Sequence, residues 1–154
     1  MYNKIAKSYN ELHKEEQIKK LEIIKEHLKI ISPLLDVGCG TGISTNYFNI
    51  VSIGIDNSKE MIKEGKHGNL IYAEAEKLPF PDKSFNTVIS VTSFQNFKNM
   101  DKALLEIKRV SSNNNIAITF LKKSSKIEKF RDLLKKYFKF KEIDCDKDIL
   151  FKII

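Results

Sequence analysis

Three observations predict that this 154-residue chain forms an α/β fold, doubly wound around a mostly parallel seven-stranded sheet with helices on both faces. Strand-like runs recur seven times, and most are separated by segments with helical periodicity. A glycine cluster, Gly38-Cys39-Gly40-Thr41-Gly42, follows the first of those runs. The last two runs meet around Asp146-Lys147, which leaves room only for a tight turn. Strands joined through helices pair in parallel by right-handed crossovers, and the terminal hairpin adds one antiparallel strand.

The elements follow in order. Ile18, Leu21, Ile24, Leu28 and Ile31 fall at helical spacing and predict an amphipathic helix over 11–31. Pro33 stops it, because the residue before a proline is pushed out of the α region. Leu34-Leu35-Asp36-Val37 reads as the first strand and Val51–Ile55, ending at Asp56, as the second. Only a brief helix fits over 43–49. Ser58 is placed to cap another over 59–65. Leu70-Ile71-Tyr72-Ala73 is strand-like, whereas Pro79 and Pro81 make 78–82 a loop. Phe85–Val91 reads as the fourth strand. Asp101 is expected to cap a helix whose Ala103, Leu104, Ile107 and Val110 share one face. The turn at 113–115 leads into a strand over 116–120, and a last helix over 125–138 carries Ile127, Phe130, Leu133, Leu134 and Phe138. Strands over 140–145 and 148–154 complete the sheet.

The length suits one domain over 1–154, large enough to bury its own core without staples. Two cysteines, Cys39 and Cys145, cannot form a disulfide framework and imply a reducing, cytoplasmic setting. No apolar run approaches the ~18 residues of a membrane span. His13, His27 and His67 lack ligand spacing, so no metal site is expected. The net charge is +7, distributed as +2 over 1–32, zero over 33–121 and +5 over 122–154. A basic C-terminal third is a candidate surface for nucleic acid or protein. Only Arg109 and Arg131 are arginines, however, and arginine is the preferred fork for phosphates and base edges.

The chemistry is concentrated at the glycines. Gly38, Gly40 and Gly42 allow positive φ and let a ligand approach the backbone, at the strand edge where doubly wound sheets bind ligands. The second strand ends in Asp56, whose carboxylate can accept both hydroxyls of a ribose. A dinucleotide fingerprint requires a small residue where Ile43 stands, and a phosphate-binding P-loop is absent. Asp36, ahead of the glycines, would repel a pyrophosphate and suits a cationic ligand. S-adenosylmethionine, with its ammonium and sulfonium and no phosphate, fits those electrostatics.

Several blocks then resemble one family, the class I S-adenosylmethionine-dependent methyltransferases with their Rossmann-like fold. Within it, the chain is similar to the branch of ubiquinone/menaquinone-biosynthesis methyltransferases (the type 11 domains). LLDVGCGTG (34–42) resembles the family's first motif and IGIDNS (53–58) its second. AEAEKLPFPDKSFNTVIS (73–90) and the opening YNKIAKSYNEL (2–12) are similar to two further blocks. The resemblance implies that Asp36, Gly38, Gly40 and Gly42 line the methionine and ribose portion of the cofactor. Asp56, with Asn57, would hold the ribose, while Glu74 and Ala75 would face the adenine. Ser90 would pass beneath the cofactor, and Tyr9 would lie in an N-terminal segment (1–31) that closes over the core at 32–121.

The resemblance also implies that the product is S-adenosylhomocysteine. Ser93 and Asn96 would orient an acceptor, and His13 would take its proton. Relatives often carry two histidines where this chain has Gln95-Asn96, which removes an obvious general base. The expected function is methyl transfer by in-line displacement to a small molecule, by a monomer or homodimer. The alternatives are an RNA or protein acceptor, and a catalytically silent cofactor-binding module that supports a partner subunit. At this length recognition would come from the N-terminal segment, from the loops after the fourth and fifth strands, or from another subunit.

Overall fold

The computed structural model describes residues 2–154, with side chains from Asn10 onward. Its sheet contains β1 (Leu34–Val37), β2 (Ser52–Asp56), β3 (Leu70–Tyr72), β4 (Thr87–Val91), β5 (Ile116–Leu121), β6 (Phe140–Cys145) and β7 (Asp148–Ile153). The strand order is β3-β2-β1-β4-β5-β7-β6. The first five strands pair in parallel, and β7 runs antiparallel to both of its neighbours. Strand order reverses between β1 and β4, so the crevice at their carboxyl ends is the topological switch point where such sheets bind ligands. Strands β1 and β4 are buried along their whole length, and their few polar residues, Asp36, Thr87 and Ser90, are hydrogen-bonded there.

Helix α1 (Tyr2–His27) packs Leu21 and Ile24, with Leu28 just beyond its end, on one side of the sheet, near α2 (Ile43–Tyr47). α4 (Met100–Val110) and α5 (Ile127–Tyr137) close the other side with Leu104, Ile107, Phe130 and Leu134. α3 (Lys59–Gly65) lies beside β2 and β3. Ser58 caps α3 as its sequence position predicts, its hydroxyl accepting from the Met61 amide. Among the described residues, no helix is long and apolar enough to cross a membrane.

In three places the structure departs from the sequence reading for a visible reason. α1 ends at His27, and Ile31 lies outside it, exposed. There the Thr87 hydroxyl accepts from the Ile31 amide at 2.8 Å and donates to its carbonyl at 2.7 Å. A side chain distant in sequence satisfies the backbone before another helical turn can form. Asn99, not Asp101, caps α4, its side chain accepting from the Lys102 amide. Asp101 instead accepts from the Tyr137 hydroxyl and ties α4 to α5. Finally, β4 begins at Thr87, because Phe85 bridges to Ser111 and Asn86 donates to the Ser32 carbonyl.

Candidate functional site

The turn after β1 is built from three left-handed glycines, with φ of +81° at Gly38, +55° at Gly40 and +94° at Gly42. A Cβ on Gly38 would lie 2.5 Å from the Ser93 Cβ, so that position is closed by packing. A Cβ on Gly40 would meet nothing within 4 Å, so the middle of the turn faces open space. The amides of Gly38 and Cys39 both donate to the Ile55 carbonyl, at 2.9 and 2.8 Å. The next amide, Gly40, donates to Asp56 Oδ2 at 2.8 Å, and the Ser58 amide reaches Oδ1 at 2.9 Å. One backbone amide on each oxygen fixes the Asp56 carboxylate while leaving acceptor capacity on both.

Asp56 lies on a narrow cleft walled by Ile55, Ala73, Ala75 and Phe97, with Gly38, Asn57 and Glu76 completing it. Deeper, Asp36 is wholly buried. Its Oδ2 accepts from the Ser44 hydroxyl at 2.5 Å and the Thr45 hydroxyl at 2.8 Å, both at the start of α2. Its Oδ1 is buried with no hydrogen-bond partner. Burial pushes the carboxyl up to about 6, against the opposing pull of the two hydroxyls. A buried carboxylate oxygen without a donor is costly, and a cationic or N–H-bearing ligand would relieve it. Cys39 is packed under Gly54, and burial raises its thiol far above neutrality. It is a packing residue, not a nucleophile.

At the β4 edge, the serine hydroxyls hold the glycine turn. Ser90 donates to the Val37 carbonyl at 2.7 Å and Ser93 to the Gly38 carbonyl at 2.8 Å. Thr92 between them has φ +53°, a rare conformation for a β-branched residue. Its amide donates to the Thr119 hydroxyl and carbonyl, and its hydroxyl donates to Asp148 Oδ2 at 2.5 Å. Lys20 of α1 donates to that same hydroxyl at 2.9 Å and pairs with Asp148 at 3.2 Å. Asn96 ends the short 3₁₀ turn Phe94–Asn96 and is exposed.

Asp36, the glycines, Asp56, Asn57, Ala75, Ser90 and Ser93 are therefore gathered at one sheet edge. Glu74 is exposed and bridged to Lys77, while Glu76, two residues on, lines the cleft and accepts from the Asn99 amide at 3.0 Å. His13 is an exposed residue of α1, three residues before Glu16, whose carboxyl is held below the usual range chiefly by the hydrogen bond from Lys147. The Tyr9 side chain lies outside the described residues. Sequence reasoning missed Glu76 and Phe97. Glu76 sits in the tight turn over 74–77 after β3, where no local signal separates it from Glu74, and Phe97 resembles Phe80, Phe85 and Phe94. The Lys20–Thr92–Asp148 cluster was also missed, because its members lie far apart along the chain.

Comparison with known proteins identifies the domain. Residues 35–119 match the family model of a methyltransferase domain. An uncharacterized protein of Methanocaldococcus jannaschii is 39% identical over 122 residues, covering 76% of this chain and 48% of its own length. The demethylmenaquinone methyltransferase of Staphylococcus haemolyticus is 27% identical over 159 residues, covering 91% of this chain and 66% of its own length. The chain spans about half the length of the two M. jannaschii proteins it matches. A solved structure of an S-adenosylmethionine-dependent methyltransferase from Aquifex aeolicus shares the fold. Its TM-score is 0.73 at 21% identity, covering 90% of this chain and 92% of that one. The family match takes in the glycine turn, Asp56 and the β4 edge, more than half of the sequence, and by it the chain belongs to the methyltransferase-domain family with the class I, Rossmann-like fold.

Proposed function

We propose that this chain binds S-adenosylmethionine at the glycine turn and transfers its methyl group to a small-molecule acceptor, releasing S-adenosylhomocysteine. The observation that carries the reading is the pair of carboxylates on that turn. Asp56 is held by the Gly40 and Ser58 amides, and Asp36 keeps one buried oxygen without a donor. The cleft has acids where a phosphate binder needs amides or cations, so its residues fit a cationic, phosphate-free nucleoside. In this reading Asp56 and Asn57 receive the ribose, and Asp36 faces the amino group. The apolar walls from Ile55 to Phe97 enclose the base, with Ala75 beside it and Glu76 taking the place expected of Glu74.

When bound, the sulfonium supplies an electrophilic methyl group and a neutral thioether leaving group. What remains for the chain is alignment, which can contribute up to roughly 7–11 kcal/mol. Ser90 and Ser93 fix the turn, and in this reading Asn96, exposed at the end of the 3₁₀ turn after β4, orients the acceptor. Asn96→Ala is expected to keep cofactor affinity and lower turnover about fivefold to tenfold, the worth of one hydrogen bond. Equal loss of affinity would remove Asn96 from the acceptor side.

The acceptor class is tested by transfer of a labelled methyl group to cell extract separated into small-molecule, protein and RNA fractions. Label in the small-molecule fraction supports the proposal. Label confined to RNA or protein replaces the acceptor class, and label in no fraction would leave a silent cofactor-binding module.

Asp36 makes the binding pH-dependent. Its folded pKa of about 6 lies above the ordinary carboxylate value, so the ligand-free fold gains stability as pH falls through 6 toward 4. A cationic ligand beside Asp36 favours the ionised form, so its affinity has the opposite dependence and weakens as pH falls below about 6. Calorimetry of S-adenosylhomocysteine near that pH, in buffers of different ionisation enthalpy, is expected to show proton release. Asp36→Asn should abolish the release; its persistence would assign the proton elsewhere.

A further inference from the structure

A second cleft, of about 350 Å³, opens between the start of α4 and the outer face of α5, and Phe97 forms a wall of both this cleft and the cofactor cleft. That volume falls at the small end of ligand-sized pockets. Its lining includes four exposed lysines, Lys98, Lys126, Lys129 and Lys136. The single acid among the lining residues is Asp101, whose carboxylate already accepts from the Tyr137 hydroxyl. Lys126 is held in place by donating to the Gln95 carbonyl at 2.8 Å.

Most neighbouring acids are engaged elsewhere, while exposed Asp132 stands beside the stripe, three residues after Lys129 and four before Lys136. Glu128 and Glu142 pair with Arg131, Asp144 with Lys122, and Asp148 with Lys20. Among the described residues, no ion pair involves the four cleft lysines. Lys126, at the N-cap of α5, and positions 129, 133 and 136 within it fall on one stripe about 15 Å long. Part of the +5 surplus of the last third is therefore focused on a concave surface beside the cofactor cleft, where four lysines outnumber Asp101 and the nearby Asp132. Lysine ammonium groups bind phosphate as point charges, and a row of them suits more than one phosphate.

We propose that this cleft is a phosphate-binding subsite, holding one or more phosphate groups of a ligand that lies against Phe97 beside the cofactor. The subsite rests on the methyltransferase reading only in taking that ligand to be the acceptor. Two sources share the chemistry, a small phosphorylated molecule and the backbone of single-stranded RNA.

The test titrates inorganic pyrophosphate and a short single-stranded oligouridylate, separately, into the full chain at low salt. The parent is compared with Lys129→Glu/Lys136→Glu, whose two sites are exposed and outside the cofactor cleft. The parent is expected to bind at least one probe, and the double variant to bind it about tenfold more weakly or worse. Both should bind S-adenosylhomocysteine equally. Pyrophosphate binding identifies a compact phosphate ligand. Binding of oligouridylate alone, falling steeply with salt, identifies a nucleic-acid strand. Failure of the parent to bind either probe, or undiminished binding by the double variant, overturns the proposal. Phosphate binding without S-adenosylhomocysteine binding would keep the subsite and reject the cofactor reading.

Discussion

Lys20→Ala is expected to destabilise the fold by about 3–5 kcal/mol, because it leaves a buried carboxylate without its cation. Lys20 is 5% exposed and Asp148 is fully buried, and both meet at the Thr92 hydroxyl. The pair joins α1 to the start of β7 and to the end of β4, so its loss weakens the N-terminal helix and the site edge together. Lys20→Met/Asp148→Leu replaces both charges by apolar groups and should recover much of the loss, since a buried pair gains little over hydrophobic packing. Denaturant unfolding checks both. A single variant within about 1 kcal/mol of the parent would mean that water reaches Asp148.

Gly38→Ala is expected to damage stability and ligand binding together. The residue has φ +81°, where a Cβ costs about 1–2 kcal/mol. The new methyl would also lie 2.5 Å from the Ser93 Cβ, an overpacking that typically adds about 1–3 kcal/mol. Relief must move either the turn or the segment after β4, and both form the cofactor cleft. Adding Ser93→Gly removes the clashing Cβ and should return the packing share of the loss. Gly40→Ala provides the contrast. With open space above it, the substitution costs only the conformational share of stability, yet it places a methyl group where the ligand must approach. Thermal unfolding paired with S-adenosylhomocysteine titration separates the two sites. Equal stability losses at Gly38 and Gly40 would contradict the packing described for Gly38.

Much of this architecture was legible in the sequence because it depends on local pattern. The seven strands, the Ser58 cap and the Asp146-Lys147 hairpin turn all stand where period and turn chemistry place them. The chain's own periodicity carried the helix to Ile31, but the Thr87 hydroxyl, supplied by a distant strand, ends it at His27. At the site, the glycines and the two aspartates could be read because backbone conformation and charge constrain those residue types. Glu76 and Glu74 are chemically equivalent, and only the direction of the chain after β3 decides which one lines the cleft. The buried Lys20–Thr92–Asp148 cluster brings together three segments that no local motif connects. The +5 of the last third was visible as arithmetic, whereas its focus at one cleft depends on how α4 and α5 pack.

The central claim is that Asp56, held by the Gly40 and Ser58 amides, anchors the ribose of a sulfonium cofactor. The most direct test is calorimetric titration of S-adenosylhomocysteine into the parent and into Asp56→Ala, with circular dichroism showing both to be folded. The account predicts one-to-one binding by the parent. It also predicts a loss of about tenfold to a hundredfold in the variant, the worth of a hydrogen bond to a charged group. Absence of binding by the parent, or equal affinity in the two proteins, would contradict it.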